Sequence, residues 1–169
     1  LPPKLAQIMI NLGVIASPAM RGKAISDEAI SILDPFCGTG TILMEAMLMG
    51  FSVIGSDKEP RLVAGAKQNV EWLRKTFNID AHRESKIFQA DATNLSLSNS
   101  IHEHSTIVTE SYLGPPLSRF PASAFLEKLM LELENLYLAF FKNLSALTAP
   151  GTPIVFIFPY WRKLPLISP

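Results

Sequence analysis

Acidic residues stand at the ends of successive short apolar runs: Asp34 after Ile30-Ser31-Ile32-Leu33, Asp57 after Phe51-Ser52-Val53-Ile54, Asp91 after Lys86-Ile87-Phe88 and Glu110 after Thr106-Ile107-Val108. Carboxylates accept hydrogen bonds from ammonium, hydroxyl and amide groups. Asp34 also opens the stretch Asp34-Pro35-Phe36-Cys37-Gly38-Thr39-Gly40-Thr41, whose glycines let backbone come close to a ligand at a helix N-terminus. An open parallel sheet binds ligands outside the carboxyl ends of its strands, so these acids would line one edge of one crevice. For any single acid, capping of the following helix is an equal alternative. For all of them in sequence order, the shared crevice is the better account.

The elements that must position these residues alternate along the chain. Leu5, Ile8, Met9 and Leu12 recur at helical spacing, predicting a helix over Lys4 to Ile15 that Gly13 and Pro18 bring to an end. Strands are predicted at Ile30–Leu33, Phe51–Asp57, Lys86–Asp91, Thr106–Glu110 and Ile154–Phe158. Helical segments run from Thr41 to Gly50, from Pro60 through Phe77, and from about Ala122 to Leu147. Apolar strands separated by helices imply an α/β fold with a mainly parallel, doubly wound sheet.

Composition is consistent with one such domain. The chain has 169 residues, 48% of them hydrophobic and 18% charged, with zero net charge. That length supports one sizeable core. A stand-alone nucleic-acid binder is usually basic, so no phosphate-binding patch is expected here. A lone cysteine permits no internal disulfide or cysteine-based metal cage, which fits a reducing, cytoplasmic setting. No apolar run reaches the ~18 residues that span a bilayer. The start at Leu1-Pro2-Pro3-Lys4 reads as that of an excised domain, with residues 1–28 as helix and linker and 29–169 as core.

Elimination narrows the ligand. A phosphate-binding loop needs Lys-Ser/Thr after its last glycine, where this chain has Thr41-Ile42. The dinucleotide fingerprint needs a third glycine where Leu43 stands. Radical chemistry on an iron–sulfur cluster needs clustered cysteines. Cys37 lies within the glycine turn, where packing is the expected role rather than nucleophilic attack. His102 and His104 form only a two-ligand fragment, His82 is expected to be solvated, and no metal is expected. Met44, Met47 and Met49 read as core or pocket wall, and Tyr160 and Trp161 as either core or base-stacking residues. S-adenosylmethionine fits best, with a nicotinamide or flavin cofactor, whose ribose Asp57 could also hold, as the lesser alternative.

The segments Leu1-Pro2-Pro3-Lys4-Leu5-Ala6, Asp34 to Thr41 and Glu45-Ala46 resemble the catalytic domain of the THUMP-associated RNA methyltransferases, nearest in pattern to the tRNA guanine-N2 enzymes. The resemblance covers residues 1 to about 115. It implies a Rossmann-like class I fold that binds S-adenosylmethionine. Asp34, Pro35, Cys37, Gly38, Gly40 and Thr41 would surround the methionine moiety, with Asp34 near its amino group. Asp57 would bind the ribose, Lys58 would flank the adenine, and Asp91 and Ala92 would meet its amino edge. Pro3 and Lys4 would cover the pocket.

The loop after the fourth strand departs from the family. An acid or Asn, two prolines and an aromatic residue are expected there, but this chain reads Glu110-Ser111-Tyr112-Leu113-Gly114-Pro115-Pro116. Glu110 keeps an acceptor, and Tyr112 offers a π-face. The expectation is therefore methyl transfer to an exocyclic amine of RNA, most plausibly a tRNA guanine N2, with Glu110 and Tyr112 at the acceptor. A DNA-base or protein-amide acceptor, and a cofactor-binding module without catalysis, are the rival readings. RNA would be recognised through a domain outside this chain. The family's sheet ends in a hairpin pair, so the sequence, closing at Leu164-Pro165-Leu166-Ile167-Ser168-Pro169, is expected to be truncated or abbreviated.

Overall fold

A computed structural model describes residues 1–17, 30–97, 105–117 and 121–159. Helix α1 (Pro3–Ala16) is followed by β1 (Ser31–Asp34), α2 (Thr41–Leu48), β2 (Ser52–Asp57), α3 (Pro60–Phe77) and β3 (Ser85–Gln89). A short 3-10 turn, Ala92–Asn94, precedes β4 (Ser105–Glu110), α4 (Ser123–Leu147) and β5 (Ile154–Ile157). The five strands form one sheet in the order β3-β2-β1-β4-β5, and every neighbouring pair is parallel. This is the Rossmann-like α/β architecture expected from the alternating apolar runs.

Strand order follows from the crossovers. Parallel strands need right-handed connections, so a chain growing in two directions from β1 must place its helices on opposite faces. Ile32, Val53, Ile87 and Val108 pack with Ile10, Leu43, Ala66 and Val70, from α1, α2 and α3. On the other face Leu33 and Ile107 meet Phe140 and Leu144 of α4. The direction of growth reverses between β1 and β4. In such sheets that switch point is where a crevice opens at the carboxyl ends of the strands.

Two boundaries differ from expectation for physical reasons. Helix α1 ends at Ala16, one residue past the expected Ile15, with Gly13 inside it rather than marking its end. A Cβ at Gly13 would collide with the Thr106 side chain, so this glycine lets α1 lie close against β4. Strand β3 ends at Gln89 rather than Asp91, because Asp91 caps the 3-10 turn instead. Pro60 stands in the first turn of α3, as expected of a residue whose missing N–H has no partner to lose there. Asn78, at φ 49°, ends that helix, its N–H donating to the Arg74 carbonyl.

Candidate functional site

At the end of β1, Asp34 is almost completely buried, with 2% of its surface exposed. Its Oδ1 accepts the Thr109 hydroxyl at 2.6 Å and the Phe36 N–H at 3.1 Å. Burial raises its pKa to about 7, and the neighbouring Asp57 and Glu110 carboxylates add to the effect against the opposing hydrogen bonds. A carboxyl poised near neutrality becomes a strong acceptor once a cation arrives.

The following turn is tied to β2. Cys37 N–H donates to the Ser56 carbonyl at 2.9 Å, Gly38 N–H to Asp57 Oδ2 at 3.0 Å, and Gly40 N–H to the Cys37 carbonyl at 2.8 Å. These amides are therefore already used, and the turn contributes space rather than a cradle of free donors. Gly38 and Gly40 have φ of +53° and +91°, conformations that side chains rarely adopt. A Cβ on Gly38 would meet nothing within 4 Å, so that side of the turn is open. Cys37 is buried against Gly55, where a Cβ would crowd its side chain, and burial pushes its thiol well above the ordinary range. It is a packing residue, as the sequence suggested. Pro35 lends its carbonyl to the Ser56 hydroxyl, and Thr41 starts α2 directly after the turn.

Asp57 closes β2 with both oxygens engaged, Oδ2 by Gly38 and Oδ1 by the Glu59 N–H at 2.9 Å. Each oxygen keeps a further lone pair for a hydroxyl donor. Lys58 is exposed, and its carbonyl accepts from the Gln89 side chain. Asp91 lies beyond β3 and caps the 3-10 turn, accepting the N–H and hydroxyl of Thr93 at 2.8 and 2.7 Å. Those bonds hold its pKa below the usual carboxylate range. Ala92 is buried behind it. For Asp91, capping and a place at the same sheet edge hold together.

The end of β4 is built differently. Glu110 is partly exposed, and its Oε2 lies 3.4 Å from the Leu1 nitrogen, which brings the start of α1 to this edge. Pro3 and Lys4, on the first turn of α1, are exposed. Ser111 turns inward, while Tyr112 is 54% exposed. The Tyr112 carbonyl accepts the Tyr137 hydroxyl at 2.8 Å, and Gly114, at φ +98°, packs on Leu129. Thus Ser111, at the position of the expected first proline, points into the core, and the side chain left in the open is aromatic.

Asp34, Asp57 and Glu110 are gathered at one edge, two of them flanking the switch point. Asp91 stands further along beside β3. Sequence reasoning missed Thr109, Tyr137 and Asn143, whose side chain bridges the N–H and carbonyl of Leu95. Thr109 did leave a signal, since a polar residue in a fully buried strand needs a partner. Tyr137 and Asn143 were hidden within an amphipathic helix. His82 is exposed, whereas His102, His104, Tyr160 and Trp161 lie outside the described residues. Met47 is buried, and Met44 and Met49 pack against the same core. A cavity of about 360 Å³ near Phe141, Thr148 and Ile154 lies at the opposite end of β5 and has no titratable side chain. Among the described residues there is no cluster of three or more metal-ligating side chains, and no helix is long and apolar enough to cross a membrane.

Comparison with known proteins resolves the family. The model of the UPF0020 family, an RMKL-like methyltransferase domain, matches residues 17–165. The chain belongs to this family. A relative from Methanothermobacter thermautotrophicus, a tRNA (guanine(10)-N2)-dimethyltransferase, is 34% identical over 162 residues, covering 96% of this chain and 39% of that protein. The UPF0020 chain thus spans about 39% of that relative's length. Among solved structures, an RNA methyltransferase from Salinibacter ruber in complex with S-adenosyl-L-homocysteine matches with a TM-score of 0.51 and 18% identity, over 98% of this chain and 82% of that one. An S-adenosylmethionine-dependent methyltransferase from Clostridium acetobutylicum matches with a TM-score of 0.54 and 15% identity, over 94% of this chain and 50% of that one. These likenesses place the UPF0020 sheet in the class I methyltransferase fold.

Proposed function

We propose that the chain is the catalytic domain of an S-adenosylmethionine-dependent methyltransferase, acting on an exocyclic amine of RNA, with a tRNA guanine N2 as acceptor. One observation carries the reading: carboxyls that close β1, β2 and β4 stand near one another beside a glycine turn at the switch point of a UPF0020 sheet. The residues fit the cofactor. Asp34 is a buried acid whose charge awaits a cation, Asp57 keeps lone pairs for ribose hydroxyls, and Gly38 leaves room beside them.

In this reading Asp34 takes the cofactor's amino group, while Pro35, Cys37, Gly38, Gly40 and Thr41 shape the pocket around its methionine moiety. Asp57 binds the ribose, and Lys58, Asp91 and Ala92 border the adenine. Pro3 and Lys4 cover the pocket from α1. The bound sulfonium supplies an electrophilic methyl group. Glu110 accepts hydrogen bonds from the acceptor amine, which turns the nitrogen lone pair toward that methyl, and Tyr112 stacks on the base. On methylation the acceptor amine would give up its proton to solvent. Orientation and charge placement supply the catalysis, with no covalent step on the protein. RNA is held through a domain beyond this neutral chain, in the cytoplasm; residues 1–28 serve as helix and linker to the 29–169 core.

Incubating the full-length protein with labelled cofactor and bulk tRNA tests this. Label in tRNA that is digested to N2-methylguanosine supports it, and transfer to DNA or protein instead would sink the acceptor assignment. The Ser111-Tyr112 replacement favours a second reading, a cofactor-binding module without catalysis. Cofactor binding with no transfer to any acceptor would select that one.

A further inference from the structure

Thr109 is fully buried in β4, one residue before Glu110, and it reaches across the switch point to Asp34. Its hydroxyl and the Phe36 N–H both donate to Oδ1 of that carboxyl, and no described residue donates to Oδ2. Two donors converging on one oxygen fix the plane of the group and leave the other oxygen for a ligand.

We propose that Thr109 is a positioning residue for cofactor binding, orienting the Asp34 carboxyl and stabilising its ionised form so that Oδ2 can receive an ammonium group. The proposal rests on the reading of this turn as an S-adenosylmethionine site. The groups facing Asp34 make the donor necessary. Asp57 from β2 and Glu110 from β4 both oppose its charge. The Cys37 thiol from the turn remains neutral. Asp34 is therefore protonated in a large share of empty molecules near neutral pH, and an incoming ammonium drives its proton off. Binding should release a proton below about pH 7 and tighten as pH rises through that value.

Isothermal titration of the chain with S-adenosylmethionine from about pH 5.5 to 8.5, in two buffers of different ionisation enthalpy, reads both effects. Thr109→Val keeps the volume but loses the donor, so the pH midpoint should move upward. Affinity near pH 7 should fall roughly tenfold or more, as expected for losing a hydrogen bond to a charged group. Thr109→Ser should restore both. Unchanged affinity and midpoint in T109V would overturn the proposal. So would weakening of equal size at every pH without rescue by T109S, because a purely structural role predicts that. If T109V does not fold, Thr109→Cys, a weaker donor, should show a smaller upward shift, and none would overturn the idea equally. Wild-type chain that binds no cofactor at any pH would sink the cofactor reading itself, and this proposal with it.

Discussion

The turn after β1 and the loop after β4 face the same crevice, yet they are held in opposite ways. Between Asp34 and Gly40 much of the backbone is tied inside the protein: Oδ1 of Asp34 has two donors, and Cys37, Gly38 and Gly40 each give up their N–H. From Ser111 to Leu117 the backbone is anchored through the Tyr137 hydroxyl, a 3.5 Å contact from Ser111 Oγ to the Ile157 carbonyl, and Gly114 against Leu129. An over-determined turn suits an invariant ligand, while a lightly held loop can accept different side chains without disturbing the sheet.

The largest effect that would sharpen this contrast concerns pH. Asp34 binds its proton more tightly when folded than when unfolded, so the folded state holds more protons between about pH 4 and 7. Its contribution to stability is complete below about pH 4 and is lost as pH rises through about 7. That loss amounts to at most about 4 kcal/mol. Asp34→Asn should flatten this part of the pH–stability curve in urea unfolding and leave the empty protein more stable than wild type at pH 8, while weakening the cofactor.

Asp57→Ala should come next. It leaves the Gly38 and Glu59 amides without their acceptor, and cofactor affinity by calorimetry should drop about 100-fold. A variant that stays folded and binds normally would break the idea that the turn is held for the ligand. On the loop side, Tyr112→Ala should leave cofactor affinity unchanged and lower methyl transfer to tRNA by about tenfold to 100-fold, the value of one stacked base. Equal losses of cofactor binding in Y112A would erase the division between the two regions. Smallest of all, Tyr137→Phe should cost about 1 kcal/mol in thermal unfolding, because it frees the loop from α4.

Much of this was legible in the chain itself. Apolar runs four to six residues long, alternating with helical periodicity, marked each strand and helix of the described fold to within a few residues. Asp34, Asp57 and Glu110 could be placed at strand ends because each run stops at an acid. Gly13 was misread because a glycine that ends a helix and one that lets a helix touch a strand look the same in sequence. Asp91 was read as closing β3 although it lies two residues past the strand, since an acid capping a 3-10 turn and an acid closing a strand differ only in hydrogen bonding.

Local pattern alone determined the α/β class, the glycine turn and which acids stand at the strand ends, because side-chain periodicity and turn chemistry act over a few neighbours. Tertiary structure decided what those residues experience. The Thr109–Asp34 bond joins positions 75 residues apart, and the closeness of three carboxyls arises only when β1, β2 and β4 lie side by side. Burial and charge crowding are properties of that packing, so the raised pKa of Asp34 and the donor that counters it belong to the fold.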